Sequence, residues 1–186
     1  MIIIGCDPGL HGAIAILETE TGEMQVHDIP VLQTSVKATG NRKTKSGMRT
    51  KTEIDVGELT ALLCPYALKG TAFIEDVHSM PKQGVASVFS FGFSAGVLRG
   101  VIGALGIPYT LVTPQAWKKA MLAGIGSKEK DGSILRAKQL FPKHSSILLK
   151  TKDGRAEAML IAQYGRQTLK GGPSCEKPRR RLLVAD

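Results

Sequence analysis

Short apolar runs and stretches of helical periodicity follow one another along the chain, and their order predicts the fold class. The first three apolar runs cover residues 2–6, 12–17 and 24–32, with turn residues between them, and predict three antiparallel strands. The later pattern predicts helices over 54–68, 85–105, 114–122, 133–141 and 156–169, and strands over 71–77 and 107–112. Strands followed by alternating helices and strands favour an α/β fold with a mixed sheet.

Length and composition limit the class of protein. With 186 residues, 42% hydrophobic and 22% charged, the chain is expected to form one globular domain. No apolar run reaches the roughly 18 residues of a membrane span, and no secretory signal is visible at the N-terminus. The three cysteines are far apart, which fits neither a disulfide framework nor a metal site. A reducing compartment, the cytoplasm, is therefore expected.

The formal net charge of +9 is concentrated in two segments. Residues 31–52 carry six basic side chains and no acid: Lys37, Arg42, Lys43, Lys45, Arg49 and Lys51. The tail 172–186 carries four more, and the remainder of the chain holds 15 basic and 14 acidic residues. Both segments are rich in Gly, Ser, Thr or Pro, so mobile segments are expected rather than packed elements. Either they contact nucleic-acid phosphates, or they are a solvating loop and tail.

Four carboxylates stand where a metal site could form. Asp7 and Glu75 each follow an apolar strand, and ligand sites in α/β sheets lie at the carboxyl ends of strands. Asp153 and Glu157 are four residues apart and so share one face of the last helix. Such a set could hold two divalent cations, Mg²⁺ or Mn²⁺, for phosphodiester hydrolysis. Taken singly, each acid could instead serve a turn, a solvent-facing strand end, a helix cap or an ion pair with Arg155 or Lys150.

Five sequence stretches resemble one family. The chain resembles RuvC-type Holliday junction resolvases, which belong to the RNase H-like (retroviral integrase) superfamily, and its details are closer to phage-type members. The resemblance runs in order from residue 2 to 165. It rests on IGCDPG at 4–9 with GAIA at 12–15, IEDV at 74–77, FG…G from 91 to 100, TPQAWK at 113–118 and DGRAEA at 153–158.

The resemblance implies a fold, an activity and a site. The fold would have a mixed five-stranded sheet with helices on both faces, formed by residues 1–170 with a basic insertion at 34–52 and a flexible basic tail at 171–186. The activity would be Mg²⁺-dependent, symmetric cleavage of Holliday junctions by a homodimer, leaving 5′-phosphate ends. Mn²⁺ would substitute for Mg²⁺, with two ions per site. The catalytic, metal-binding residues would be Asp7, Glu75, Asp153 and Glu157.

The resemblance also implies DNA contacts, with two departures from the bacterial pattern. Lys118 and, less closely aligned, Lys130 would contact DNA near the scissile phosphate. His78 stands where bacterial members carry a junction-contacting aromatic residue, and the acids of the last helix are four residues apart instead of three. The insertion would add further DNA contacts from Arg42, Lys43, Lys45, Arg49 and Lys51.

Three other functions compete with this interpretation. The stretch GFSAG at 92–96 matches the nucleophile motif of serine hydrolases, with Asp131 and His144 following in order. That motif needs a strand before Ser94, whereas the pattern predicts a helix whose small residues allow close packing, as at a dimer interface. The Asp-x-Gly opening also occurs in actin-like ATPases, which are normally two-domain proteins. A non-catalytic nucleic-acid-binding module would explain the charge but not the four acids.

Overall fold

A five-stranded mixed sheet forms the centre of the molecule. The structure is a computed structural model that describes residues 1–37, 47–78, 84–125 and 131–171. Seven strands are β1 (Ile2–Asp7), β2 (Ala13–Glu18), β3 (Met24–Asp28), β4 (Val31–Lys37), β5 (Met48–Ile54), β6 (Gly70–Glu75) and β7 (Tyr109–Val112). The central sheet has the order β3-β2-β1-β6-β7, and β4 and β5 pair separately. Strands β1, β6 and β7 run parallel, while β2 is antiparallel to both β1 and β3.

Within the described residues, five α-helices cover both faces of the sheet. They are α1 (Val56–Leu63), α2 (Val85–Ala104), α3 (Pro114–Met121), α4 (Gly132–Leu140) and α5 (Asp153–Leu169). Alternate side chains of β1 enter different cores, as the two-residue period of a strand requires. Ile3 packs in the core that includes residues of α3, α4 and α5. Ile4 and Cys6 pack in the core that includes residues of α1 and α2. The predicted α/β fold with a mixed five-stranded sheet and helices on both faces is confirmed.

The backbone of α5 lies directly against β1. A Cβ atom on Gly5 would lie 2.2 Å from the carbonyl oxygen of Ala158 and 2.4 Å from the amide nitrogen of Ala162. Only a residue without a side chain permits this approach. The contact brings the start of α5 next to the end of β1, where Asp7 stands.

An ion-pair cluster fixes the amino-terminal end of α5 to the sheet. Arg155 donates from Nε and Nη2 to the two carboxylate oxygens of Asp28, at 2.7 and 2.9 Å, and Lys152 Nζ lies 2.7 Å from Asp28 Oδ2. The bond from Arg155, with help from Lys152, lowers the pKa of Asp28 to about 2. A bidentate ion pair fixes the relative orientation of its two side chains better than a single contact does. The first turn of α5 is thereby held against β3.

Two predicted elements differ from the observed ones. The run 24–32 is not one strand, because β3 ends at Asp28 and a second strand begins at Val31 after Pro30, which has no N–H to donate to a ladder. The helix predicted over 54–68 is shorter, with Asp55 as its N-cap and a 3₁₀ turn at Cys64–Tyr66 that contains Pro65. The other predicted elements exist, with ends shifted by a few residues.

The prediction that the basic segment lacks packed elements is wrong for its two flanks. Strands β4 and β5 form an antiparallel hairpin in register from Val31 opposite Ile54 to Lys37 opposite Met48. β-Branched residues stand at alternate positions, Thr34 and Val36 in β4 and Thr50, Thr52 and Ile54 in β5, and favour extended backbone. The side chain of Ile54 is buried in the core. Arg42, Lys43, Lys45, Lys130 and the tail 172–186 lie outside the described residues.

Helix α2 is the least covered of the long helices. Among the described helices it alone has the length and apolar composition of a membrane span, although less than a third of that stretch is buried. A single helix of this kind is weak evidence for a membrane protein.

Candidate metal centre

Three carboxylates converge at one edge of the sheet. Asp7 ends β1 and Glu75 ends β6, and these parallel neighbours pair up to Cys6 opposite Ile74, so both acids lie at the carboxyl edge of the sheet. Glu157 reaches the same place from the first turns of α5. Ligand oxygens of Asp7, Glu75 and Glu157 all lie within 4.8 Å of one another. The arrangement offers a divalent cation three carboxylates from three separate elements.

The protein leaves most of this negative charge uncompensated. Burial raises the pKa of Asp7 well above its usual value, and the charges of Glu157, Glu75 and Asp153 raise it further, while Lys118 opposes them. Burial also raises the pKa of Glu75, against the hydrogen bond from Trp117, and Glu157 raises it further. One lysine therefore faces several buried or half-buried carboxylates. An all-oxygen, electron-rich set of this kind suits a hard cation such as Mg²⁺ or Mn²⁺.

Glu157 is held by two donors. Lys118 Nζ lies 3.1 Å from Glu157 Oε1, and Ser133 Oγ donates to the same oxygen over 3.1 Å. The pairing of Glu157 with Arg155 or Lys150, considered from the sequence, does not occur. Arg155 pairs with Asp28, and Lys150 pairs with Asp131.

Asp153 lies beside the group of three. It is the first residue of α5, and its Oδ1 accepts a hydrogen bond from the amide of Gly154 at 3.1 Å. It does not belong to the group whose ligand oxygens lie within 4.8 Å of one another. Its charge still raises the pKa of Asp7. A Cβ atom on Gly154 would lie 2.7 Å from Asp7 Oδ2, so the start of α5 and the end of β1 are in close contact here.

Two residues of the site were missed in the sequence. Trp117 is fully buried in the core. Its indole Nε1 also donates to Glu75 Oε1 over 2.9 Å. The sequence could have indicated such a contact, because a buried tryptophan N–H usually finds an acceptor. Ser133 gave no comparable signal, since its contact with Glu157 depends on how α4 packs on α5.

Of the residues predicted to contact DNA, one belongs to this site and the other described ones lie outside it. Lys118 is part of it through Glu157. His78 follows Glu75 by three residues, its side chain is 70% exposed, and its Nε2 lies 3.6 Å from Asp76 Oδ2. Arg49 and Lys51 lie on one face of β5 and line a groove of about 400 Å³ between this strand and α2, with Phe89 and Phe93 on the opposite wall. The Nζ atom of Lys51 also lies 2.6 Å from Oε1 of Glu53.

The hydrolase motif does not form a nucleophile turn. Ser94 lies inside α2, nine residues after the helix begins at Val85, and is 2% exposed. Its Oγ donates to the carbonyl oxygen of Ser90 over 2.9 Å. No strand of the described residues leads into it, and a serine in this position has no access to a substrate.

Comparisons with solved structures identify the fold. RuvC of Thermus thermophilus superposes with a TM-score of 0.52 at 19% sequence identity, covering 92% of this chain and 97% of that one. The same protein solved in complex with a Holliday junction substrate gives a TM-score of 0.53 at 15% identity, covering 92% and 96% of the two chains. The chain has the RuvC fold. The RuvC-type resemblance that was stated from the sequence is thereby confirmed for the fold.

A sequence relative agrees with this assignment over part of the chain. The chloroplastic Holliday junction resolvase MOC1 of Chlamydomonas reinhardtii is 33% identical over 101 residues. The match spans 54% of this chain and 11% of the length of that much longer protein. No protein-family profile matches the chain.

The raised pKa values predict a pH-dependent instability in the absence of cations. A carboxyl whose pKa is higher in the folded than in the unfolded protein destabilises the fold as pH rises from about 4 through the folded value. In EDTA, Asp7→Asn is therefore expected to exceed the wild type in free energy of unfolding by at least about 1 kcal/mol at pH 7–8, with the gain shrinking toward pH 4. Urea denaturation across this pH range measures it.

The control is Glu23→Gln, which removes an exposed acid far from the site and is expected to change nothing. Mg²⁺ should stabilise the wild type at pH 8 and not the Asp7→Asn variant. A variant less stable than the wild type throughout the pH range would contradict the electrostatic account of the site.

Proposed function

We propose that the protein is a metal-dependent, structure-selective endonuclease that cleaves branched DNA, with four-way Holliday junctions as the preferred substrate. The observation that carries the proposal is the convergence of Asp7, Glu75 and Glu157 within 4.8 Å at the carboxyl edge of a RuvC-type sheet. Relatives with the fold or part of the sequence are described as Holliday junction resolvases or bind a junction. A passive nucleic-acid-binding module would gain nothing from three carboxylates that repel phosphate.

The donor set supports two Mg²⁺ ions per site, with Mn²⁺ as a substitute. Asp7 is the acid whose pKa the charges of the other three all raise; it would contribute to both ions, while Glu75 and Glu157 would complete the ligand set. Asp153, one helical turn before Glu157, would serve the second ion. Bound cations would activate the attacking water and neutralise charge on the phosphate and the leaving oxygen.

The side chains of the site have separate tasks in this mechanism. Lys118 Nζ, 41% exposed and beside Glu157, would donate to a non-bridging phosphate oxygen and stabilise the charge that develops there. Ser133 would keep Glu157 oriented once Lys118 turns toward DNA. Hydrolysis with in-line attack would leave a 5′-phosphate and a 3′-hydroxyl end.

The β4–β5 hairpin would extend the DNA contact beyond the active site. Arg49 and Lys51 present their charge on one exposed face of β5, and phosphate contacts of this type release condensed counterions. His78, exposed at the end of β6, would contact the junction near the scissile strand. Arg42, Lys43, Lys45 and Lys130 belong to the same proposal by their positions in the sequence alone.

Helix α2 supports a homodimer, which a symmetric substrate requires. Phe89 and Phe93 are 74% and 52% exposed, and they stack on one another with ring centroids 6.5 Å apart. The same helical face carries Gly92, Gly96, Gly100 and Gly103, and nothing lies within 4 Å of a Cβ built on any of them. A helix face of small residues flanked by aromatic rings allows a second helix to approach closely, and an isologous pair would place two sites across a junction.

Cleavage is expected to require the carboxylates and a branch. With Mg²⁺, wild-type protein should cut a four-way junction and leave a linear duplex of the same sequence intact. Asp7→Asn and Glu75→Gln should each lower the single-turnover cleavage rate by at least 100-fold, because each variant loses a carboxylate ligand of the cations. Junction binding in Ca²⁺ should persist, because each variant carries less negative charge near the DNA phosphate. A panel of junctions, flaps, forks and duplexes on denaturing gels measures both effects.

Glu23→Gln serves as the matched control, with wild-type cleavage expected. Junction binding without any cleavage by the wild type in Mg²⁺ or Mn²⁺ would instead favour the non-catalytic module. Full activity of Asp7→Asn would exclude this site.

The salt dependence of binding tests the hairpin. A double variant of Arg49 and Lys51 to glutamine should weaken junction binding in Ca²⁺ and flatten the plot of log K against log salt by up to about 2, since each phosphate contact contributes about 0.9 to the slope. Fluorescence anisotropy between low and moderate salt measures the slope. Lys69→Gln, an exposed lysine at the opposite end of β6, should leave it unchanged. An unaltered slope in the double variant would return the hairpin to a solvating role.

Sedimentation velocity tests the dimer. The wild type is expected at twice the chain mass of 19.9 kDa. Gly96→Leu should raise the dissociation constant at least 10-fold, because the open space around Gly96 accepts a leucine in one chain but not between two close helices. Gly57→Leu, on the exposed side of α1, is the control and should remain dimeric. A dimer that survives Gly96→Leu would place the interface elsewhere.

A further inference from the structure

The single tryptophan of the chain donates a hydrogen bond to a carboxylate of the candidate metal centre. Trp117 is 0% exposed, and Glu75 is 7% exposed. The indole Nε1 lies 2.9 Å from Glu75 Oε1. The partners are 42 residues apart in the sequence, so the bond joins the start of α3 to the end of β6.

The indole has little freedom to leave this position. It is packed in the core that includes residues of the sheet, α4 and α5, and α3 begins three residues earlier, at Pro114. Thr113 caps the helix by accepting from the amide of Ala116, and Pro114 occupies the first turn. A fully packed ring keeps one rotamer, so its N–H points at Glu75 before any ligand binds.

The chemistry of this donor suits a metal ligand. A carboxylate has about four acceptor positions, and one N–H occupies one of them. The indole carries no charge, so it restrains the carboxylate without cancelling its attraction for a cation. The charge of Glu157 repels the Glu75 carboxylate and raises its pKa. Without the indole N–H, this repulsion would rotate the Glu75 carboxylate away from Glu157. Lys118 differs, since its positive charge must compete with a cation for Glu157.

We propose that Trp117 is a positioning residue, whose indole N–H holds the Glu75 carboxylate in the orientation that a divalent cation needs. The inference rests on the proposed function, because it assumes that the three carboxylates bind a cation. Groups that orient metal ligands typically contribute 10–100-fold to metal affinity. The core-filling role of the ring is separate, and the experiment must distinguish the two.

Replacement of the N–H alone makes this distinction. Trp117 is the chain's one tryptophan, so biosynthetic substitution of tryptophan changes only this position. β-(3-Benzothienyl)alanine keeps the shape of the ring and has sulfur in place of N–H, and 5-fluorotryptophan keeps the N–H as a matched control. Affinity for Mn²⁺ is measured by isothermal titration calorimetry on the DNA-free protein, and melting temperature is recorded in EDTA.

The benzothienyl protein is expected to bind Mn²⁺ at least 10-fold more weakly than the wild type, while the fluorotryptophan protein stays within about twofold of it. Both should keep the wild-type fold by circular dichroism. Equal affinity of the benzothienyl and fluorotryptophan proteins would overturn the inference and leave the proposed function intact. Absence of Mn²⁺ binding by the wild type would overturn both.

Nuclear magnetic resonance gives a second readout that needs no altered ring. A protein labelled with ¹⁵N should show one indole N–H signal, protected from exchange with solvent. Addition of Mg²⁺ should shift it saturably, and Asp7→Asn should abolish the shift. Mg²⁺ binding that is detected by calorimetry and leaves the indole signal in place would overturn the inference even if the benzothienyl protein does not fold.

Discussion

Two parallel strands carry Asp7 and Glu75 to adjacent positions, and the burial of their carboxylates is the constraint on which the rest of the site depends. A buried charge without a partner is costly, and the raised pKa values of both groups express that cost. The fold does not remove it with a full set of cationic side chains. Lys118 is the one cation that lowers the pKa of either acid, so the described structure holds a local excess of negative charge that a divalent cation would balance.

The placement of α5 follows from the same constraint. Glu157 must reach the edge where β1 and β6 end, so the first turns of α5 must lie close to β1. Gly5 removes the side chain that would separate the helix from the strand, and Asp28 holds the helix start through Arg155 and Lys152. Neither Gly5 nor the ion-pair cluster belongs to the carboxylate group, but both determine where Glu157 lies.

The sequence predicts the fold better than it predicts the site. Apolar runs and helical spacing locate the central strands and all five helices, because those signals arise from local periodicity. The hairpin was missed because charge and turn-forming residues outweighed the weaker signal of β-branched residues at alternate positions of β4 and β5. Candidate ligands could be found as acids that follow apolar strands, and Asp7, Glu75 and Glu157 do converge. The donors to them could not be located, since contacts such as Ser133 with Glu157 arise between elements whose packing is set by the whole core.

Adjacent residues of α3 show how one short helix serves two different carboxylates. Successive helical residues point about 100° apart, so Trp117 faces the core while Lys118 faces the rim of the site. The buried position favours a neutral donor, since the burial of an ammonium group carries a large desolvation cost even when it is paired. The rim position tolerates a charged donor, and the lysine also lies over the indole ring, with Nζ 5.0 Å from its centroid. Glu75 therefore accepts from a neutral, buried donor, whereas Glu157 is paired with a cation at a partly exposed position. The two acids differ in this respect because their donors occupy successive positions on one helix.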